Sequence, residues 1–131
     1  MKNAAVFFLI GMLAACAAAN AGQAILQWTN PTRNTDDTLI PSTGSLALAS
    51  TIVEYTSCAS VAAVQWPASP PSVSIVQPAT SATLSNLNEG ETYCFRVRVV
   101  NQAGTASDNS NVASKTISVT VPMPPSNVTV Q

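Results

Sequence analysis

The chain has 131 residues, 47% of them hydrophobic and 8% charged, with nine prolines, three cysteines and no histidine, which is room for one small domain. Without histidine there is no Ser-His or Cys-His couple and no imidazole metal site, and six carboxylates leave little for acid–base work, so the residues predict no enzyme, no cofactor and no metal. Five Lys and Arg against six Asp and Glu also lack the basic excess that a phosphate backbone requires, so nucleic acid is not an expected partner.

Met1-Lys2-Asn3 is a short basic start, and Ala4 to Ala15 is an apolar run of about a dozen residues, the length of the hydrophobic part of an export signal and too short to span a bilayer. Ala19-Asn20-Ala21 before Gly22 has the small-x-small form that signal peptidase cuts, which predicts a leader over residues 1–21 and a mature chain of about 110 residues. Leu13-Ala14-Ala15-Cys16 gives a second reading. It resembles a bacterial lipobox, with residues 1–15 removed and Cys16 lipidated, the sole route to a membrane that the sequence offers. The alanine-rich stretch after Cys16 is short for a tether and favours simple cleavage. Both readings export the protein, to the periplasm, the cell surface or the medium, or as a membrane-anchored lipoprotein.

With Cys16 removed or lipidated, Cys58 and Cys94 are the remaining pair, in a compartment where disulfides persist. The loop they would close, about 36 residues, is worth about 3.5–4 kcal/mol by chain entropy.

The mature chain reads as strands. Ala24 to Trp28 is the first, stopped by Asn30-Pro31. A polar connection, Thr32 to Gly44, leads through Leu46 and Leu48 to Thr51–Tyr55. Val61 to Gln65 and Val73 to Gln77 follow, separated by a proline-rich loop, and Ala82 to Leu84 is short. Asn88-Glu89-Gly90 turns the chain into the clearest strand, Thr92 to Val100. Gln102-Ala103-Gly104 turns it again into the last long strand, Val112 to Val121. Pro122-Met123-Pro124-Pro125 precedes a final alternating piece, Val128-Thr129-Val130.

Successive strand side chains point to opposite faces. Tyr93, Phe95, Val97 and Val99 therefore share the core face with Ala24, Leu26, Trp28, Val53 and Tyr55 from the first two strands, while Cys94, Arg96 and Arg98 share the outer one. The pattern predicts an all-β antiparallel sandwich of about seven strands over residues 22–121, followed by a proline-rich tail over residues 122–131. In such a sandwich the Cys58–Cys94 bond clips neighbouring strands on the outside of one sheet.

Several stretches together resemble a fibronectin type III domain of an exported, bacterial or phage-type, single-domain protein. Trp28-Thr29-Asn30-Pro31 is similar to that family's second strand, and Leu87-Asn88-Glu89-Gly90-Glu91-Thr92-Tyr93 to its L-x-P-G-T-x-Y corner. Phe95 to Gly104 matches the strand and turn that follow, and Ser110-Asn111-Val112 the start of the last strand. The resemblance implies a sandwich of three and four strands in which Tyr93 hydrogen-bonds the backbone near Leu87. An immunoglobulin domain fits less well. Its second core cysteine lies two residues after the corner tyrosine, whereas Cys94 directly follows Tyr93, and Trp28 precedes Cys58 instead of falling between the cysteines.

One departure stands out. The family opens with a strand about ten residues before its tryptophan, and here the mature start lies only about seven residues before Trp28. The missing sequence, proline followed by alternation, resembles Pro124 to Val130 at the other end of the chain. The tail, with Val128 and Val130 as its apolar face, folds back as a first-strand substitute, is donated to a neighbouring molecule, or stays free; the sequence leaves all three open.

Candidate sites are few. Asp36 and Asp37 supply too few oxygens for calcium and suit a turn. Trp66, Arg96 and Arg98 are the candidate binding residues: an aromatic able to anchor a protein contact or stack on a sugar, or else to cover the core edge, beside a faintly basic stripe in which Arg96, Arg98 and Lys115 share the outer face with Glu54. The sequence thus predicts a non-catalytic binding or adhesion module at a bacterial surface, with an unidentified protein or carbohydrate ligand. The alternative is a structural subunit of a surface filament or phage particle that self-associates through its C-terminal strand.

Overall fold

The computed structural model describes residues 22–131, so the leader and the lipidation candidate Cys16 lie outside the described residues. Among the described residues, six strands form two antiparallel sheets: β1 (Gly22–Gln27), β2 (Leu48–Ser57), β3 (Ser72–Val76), β4 (Ser81–Leu87), β5 (Thr92–Asn101) and β6 (Ala113–Thr116). One sheet has two strands, β1-β4, and the other four, in the order β3-β2-β5-β6. No described helix is long and apolar enough to cross a membrane.

Alternation builds the core as the sequence predicts. On β5, Tyr93 and Phe95 are buried and Val97 packs against them; they meet Val53 of β2, Ala24 of β1, and Ala82, Leu84 and Leu87 of β4. Tyr55, Tyr93 and Phe95 form a tilted aromatic cluster with ring centroids 6.4 to 6.5 Å apart. Trp28 is half-buried at the rim, where its indole N–H donates to Asn30 Oδ1 at 3.0 Å. Val99 lies beyond the cluster, beside Ile40, Leu46 and Leu48.

Three predicted elements differ. The stretch Val61 to Gln65 is not a strand; Val61–Ala63 is a single 3-10 turn. Cys58 is held to Cys94 on β5, so the chain after β2 lies across the sheet and has no edge to pair with. The last strand is shorter than Val112 to Val121. Above it, the amides of Val97 and Val99 donate to the hydroxyls of Ser110 and Ser107, both at 3.0 Å, so side chains take acceptor positions that a backbone ladder would use. Below it, Ile117 turns into the core, 3% exposed, and exchanges two backbone bonds with the corner, Gly90 N to Ile117 O at 2.8 Å and Ile117 N to Glu91 O at 2.9 Å. The tail after Thr120 forms no strand, and Val128 and Val130 are exposed.

The corner between β4 and β5 ties the two sheets together. Gly90 sits at φ 81, open to glycine and strained for other residues, and completes the Asn88-Glu89-Gly90 turn. Tyr93 reaches back so that the Asn88 amide donates to its hydroxyl at 3.1 Å, and the hydroxyl donates to Glu91 Oε2 at 3.1 Å. Burial, then the neighbouring carboxylate, pushes the Tyr93 phenol up; the bond from the Asn88 amide only partly opposes this. Replacing Tyr93 by Phe removes the acceptor for Asn88 and should cost about 1–2 kcal/mol, read as a lower urea midpoint with unchanged m-value.

Candidate functional site

The outer face of the four-stranded sheet gathers the charged residues that alternation places there. Glu54 on β2 stands opposite Arg96 on β5. Its carboxylate, 7% exposed, accepts from Arg96 Nε at 2.8 Å and pairs with Arg98 Nη1 at 3.0 Å. Burial pushes the Glu54 carboxyl up, but the two guanidinium bonds and charges outweigh it and hold its pKa below the usual carboxylate value. Two cations against one anion leave the cluster with one net positive charge.

Trp66 lies over this cluster. The Arg96 guanidinium sits 4.0 Å from the indole centroid, a cation–π stack that leaves the ring half-buried. The structure thus brings Trp66, Arg96 and Arg98 together, and Trp66 covers the outer sheet face, not the edge of the core. Alternation places Glu54 on this face with Arg96 and Arg98, but the ion pairs themselves follow from the β2–β5 register, which sets Glu54 opposite Arg96. Lys115, also expected here, lies opposite Tyr93 and reaches the Gln23 carbonyl instead.

The disulfide Cys58–Cys94 lies on the same face. Cys94 points away from the core yet is completely buried, because the Cys58–Trp66 segment covers it, with Ser60 O 3.6 Å from Cys94 Sγ. The bond therefore fixes the segment that carries Trp66.

A second feature is on the other sheet. A cleft of about 650 Å³ runs between β1 and the β5–β6 side, lined by Leu26, Trp28, Phe95, Val97, Ala113 and Lys115 among others. It lies along the edge of β1 that β4 does not pair.

Asp36 and Asp37 form a turn. Asp36 Oδ1 accepts from the Thr38 hydroxyl at 2.6 Å and the Thr38 amide at 3.1 Å, bonds that lower its pKa, and Asp37 pairs with Arg33 at 3.6 Å. Among the described residues, no three His, Cys, Asp or Glu side chains gather in a way that could hold a metal ion.

The model of the fibronectin type III domain matches residues 13–116, ending where β6 ends. Among solved structures, the chain is similar to the solution structure of the third fibronectin III domain of the human KIAA0343 protein, with a TM-score of 0.54 and 18% identity, covering 81% of this chain and 78% of that one. No curated protein matches the chain in sequence.

Proposed function

Since this chain belongs to the fibronectin type III family, whose members are commonly binding or structural modules, we propose that it is a non-catalytic, exported binding or adhesion module at a bacterial surface, with Trp66, Arg96 and Arg98 as its contact face. The observation that carries this reading is the Trp66–Arg96 stack, 4.0 Å deep and fixed from below by Glu54. A half-buried indole beside a guanidinium whose charge is only partly offset is the composition that dominates binding hot spots. Held by a disulfide-tethered segment and two ion pairs, it loses little side-chain freedom on contact. The aromatic plane and the excess positive charge suit an acidic polysaccharide or an acidic protein surface. The disulfide agrees with export to an oxidising compartment, and residues 1–21 supply the signal.

Immobilised heparin is a convenient anionic polysaccharide probe. Retention of the exported protein should fall about tenfold for Trp66→Ala and for Arg98→Glu, while circular dichroism stays unchanged. Equal retention of both variants and the parent, or no retention of the parent at low salt, would reject this face as an acidic-ligand site.

A further inference from the structure

Among the described residues, the two-stranded sheet has an open edge. The Trp28 amide donates to Thr80 O at 2.9 Å across the β4 side, and Leu26 and Ala24 stand opposite Ala82 and Leu84. Backbone groups alternate along a strand, so those of Gln27, Ile25 and Gln23 face the other edge. There Lys115 Nζ reaches the Gln23 carbonyl at 3.4 Å, and no described strand pairs this side. Beside the edge lies the cleft under Leu26 and Trp28, lined in part by apolar side chains and in part by polar ones such as Ser110, Asn111 and Lys115.

The tail has the pattern this edge lacks. Val128 and Val130 alternate with Asn127, Thr129 and Gln131, and both valines are exposed, at 81% and 95%. With Thr129 opposite Ile25 in an antiparallel register, Asn127 and Gln131 oppose Gln27 and Gln23, and the valines face inward beside Leu26 and Ala24. Every donor position then has an N–H, because Pro124 and Pro125 fall outside the paired stretch. Asn127, now at φ 56, becomes extended on pairing.

Chain direction decides whose edge is filled. The end of the chain leaves the sandwich beside the Asn88–Gly90 corner, where the Thr120 amide and hydroxyl donate to Glu89 at 3.2 and 3.0 Å. β1 begins at the same end, with Gly22 opposite Leu87 and against Ile117. To pair antiparallel with its own β1, the tail would first climb that strand, about 20 Å for its six residues, and then reverse. Val121 to Ser126 span at most about 20 Å fully extended, leaving nothing for the reversal. Into a second copy stacked below in the same orientation, the tail continues without turning and runs antiparallel to that copy's β1.

We propose that the open β1 edge receives the residue 127–131 strand of a second copy of this chain, so that molecules join head to tail. Donor and acceptor surfaces differ, and the contact does not close on itself, so the product is an open linear assembly. The contact lies on the two-stranded sheet, away from the Trp66 face, so either reading can fail without the other.

The exported full chain carrying Ile25→Cys together with Thr129→Cys tests this with a short bismaleimide crosslinker. Both positions are exposed in the free molecule. A ladder of dimer, trimer and higher species is expected from the double variant, and a dimer only from mixing the two single variants. In the parent background, Val128→Asp with Val130→Asp should raise the concentration at the midpoint of association at least tenfold, without moving the melting temperature of the monomer. An internally crosslinked monomer would show fold-back, absence of crosslinks would show that the edge is filled otherwise or stays free, and Thr129–Thr129 dimers alone would show a different contact; each overturns the proposal.

Discussion

Replacing Cys58 and Cys94 together by alanine should lower the unfolding free energy by about 4 kcal/mol, because the bond closes a loop of 36 residues whose freedom returns to the unfolded chain when it is cut. A domain of this size commonly has about 5–10 kcal/mol in all, so the variant should stay folded at about 25 °C with only about 1–6 kcal/mol left. The native state also changes. Cys94 is completely buried by the segment that begins at Cys58, and that segment carries Trp66 over Arg96. Urea unfolding of the oxidised parent against the double variant measures the first effect, and Trp66 fluorescence in the folded baseline reads the second. A loss below about 1 kcal/mol would mean that the unfolded chain already keeps these strands together and that the loop-closure account fails.

Glu54→Gln should cost about 2 kcal/mol near neutral pH, since it leaves the guanidinium groups of Arg96 and Arg98 without the carboxylate that both bond. The figure is kept below that of a fully buried pair because Arg96 and Arg98 remain 20% and 30% exposed. The pH dependence has a definite sign. The folded pKa of Glu54 lies below its unfolded value, so its contribution is complete above the unfolded pKa of about 4.3 and is lost as pH falls through the lower folded value. The stability curves of parent and variant should therefore converge on acidification and separate above about pH 5. Parallel curves across that range, measured by urea denaturation, would contradict the role given to this carboxylate.

What could be read in the sequence was what is local. The Leu87–Tyr93 corner and the alternation of β5 depend on neighbours within a few residues, and the turn at Gly90 on one glycine, so each is visible in a short window. Val61 to Gln65 has the composition of a weak strand. Its conformation is set by Cys94, 36 residues from Cys58, which pins it across a sheet face where it finds no ladder partner. The last strand is cut short for a similar reason, since the hydroxyls of Ser107 and Ser110 take bonds that serines in a strand would leave to the backbone. The Arg96 and Arg98 stripe was legible from alternation alone, but its anchor needed the register that sets Glu54 against Arg96. The spacing that predicts a missing first strand concerns residues before Gly22, outside the described residues, and the family match begins at residue 13; what the structure adds is that no described strand pairs the outer edge of β1.

A sandwich with layers of two and four strands does not hold together evenly. The β2–β5 pair is ten residues long on both strands, flanked on both sides and clipped at one end by the disulfide, so its amides open only when the whole domain does. Among the described residues, the β1–β4 ribbon has six and seven residues and a single ladder. A two-stranded ribbon is marginal by itself and rests on the core beneath it. Its amides belong to a lower-energy opening unit, one that fluctuates apart from the other layer while the rest stays native. The molecule thus has a rigid half and a breathing half, and the tryptophan at the rim of the core, Trp28, sits at the end of the breathing one.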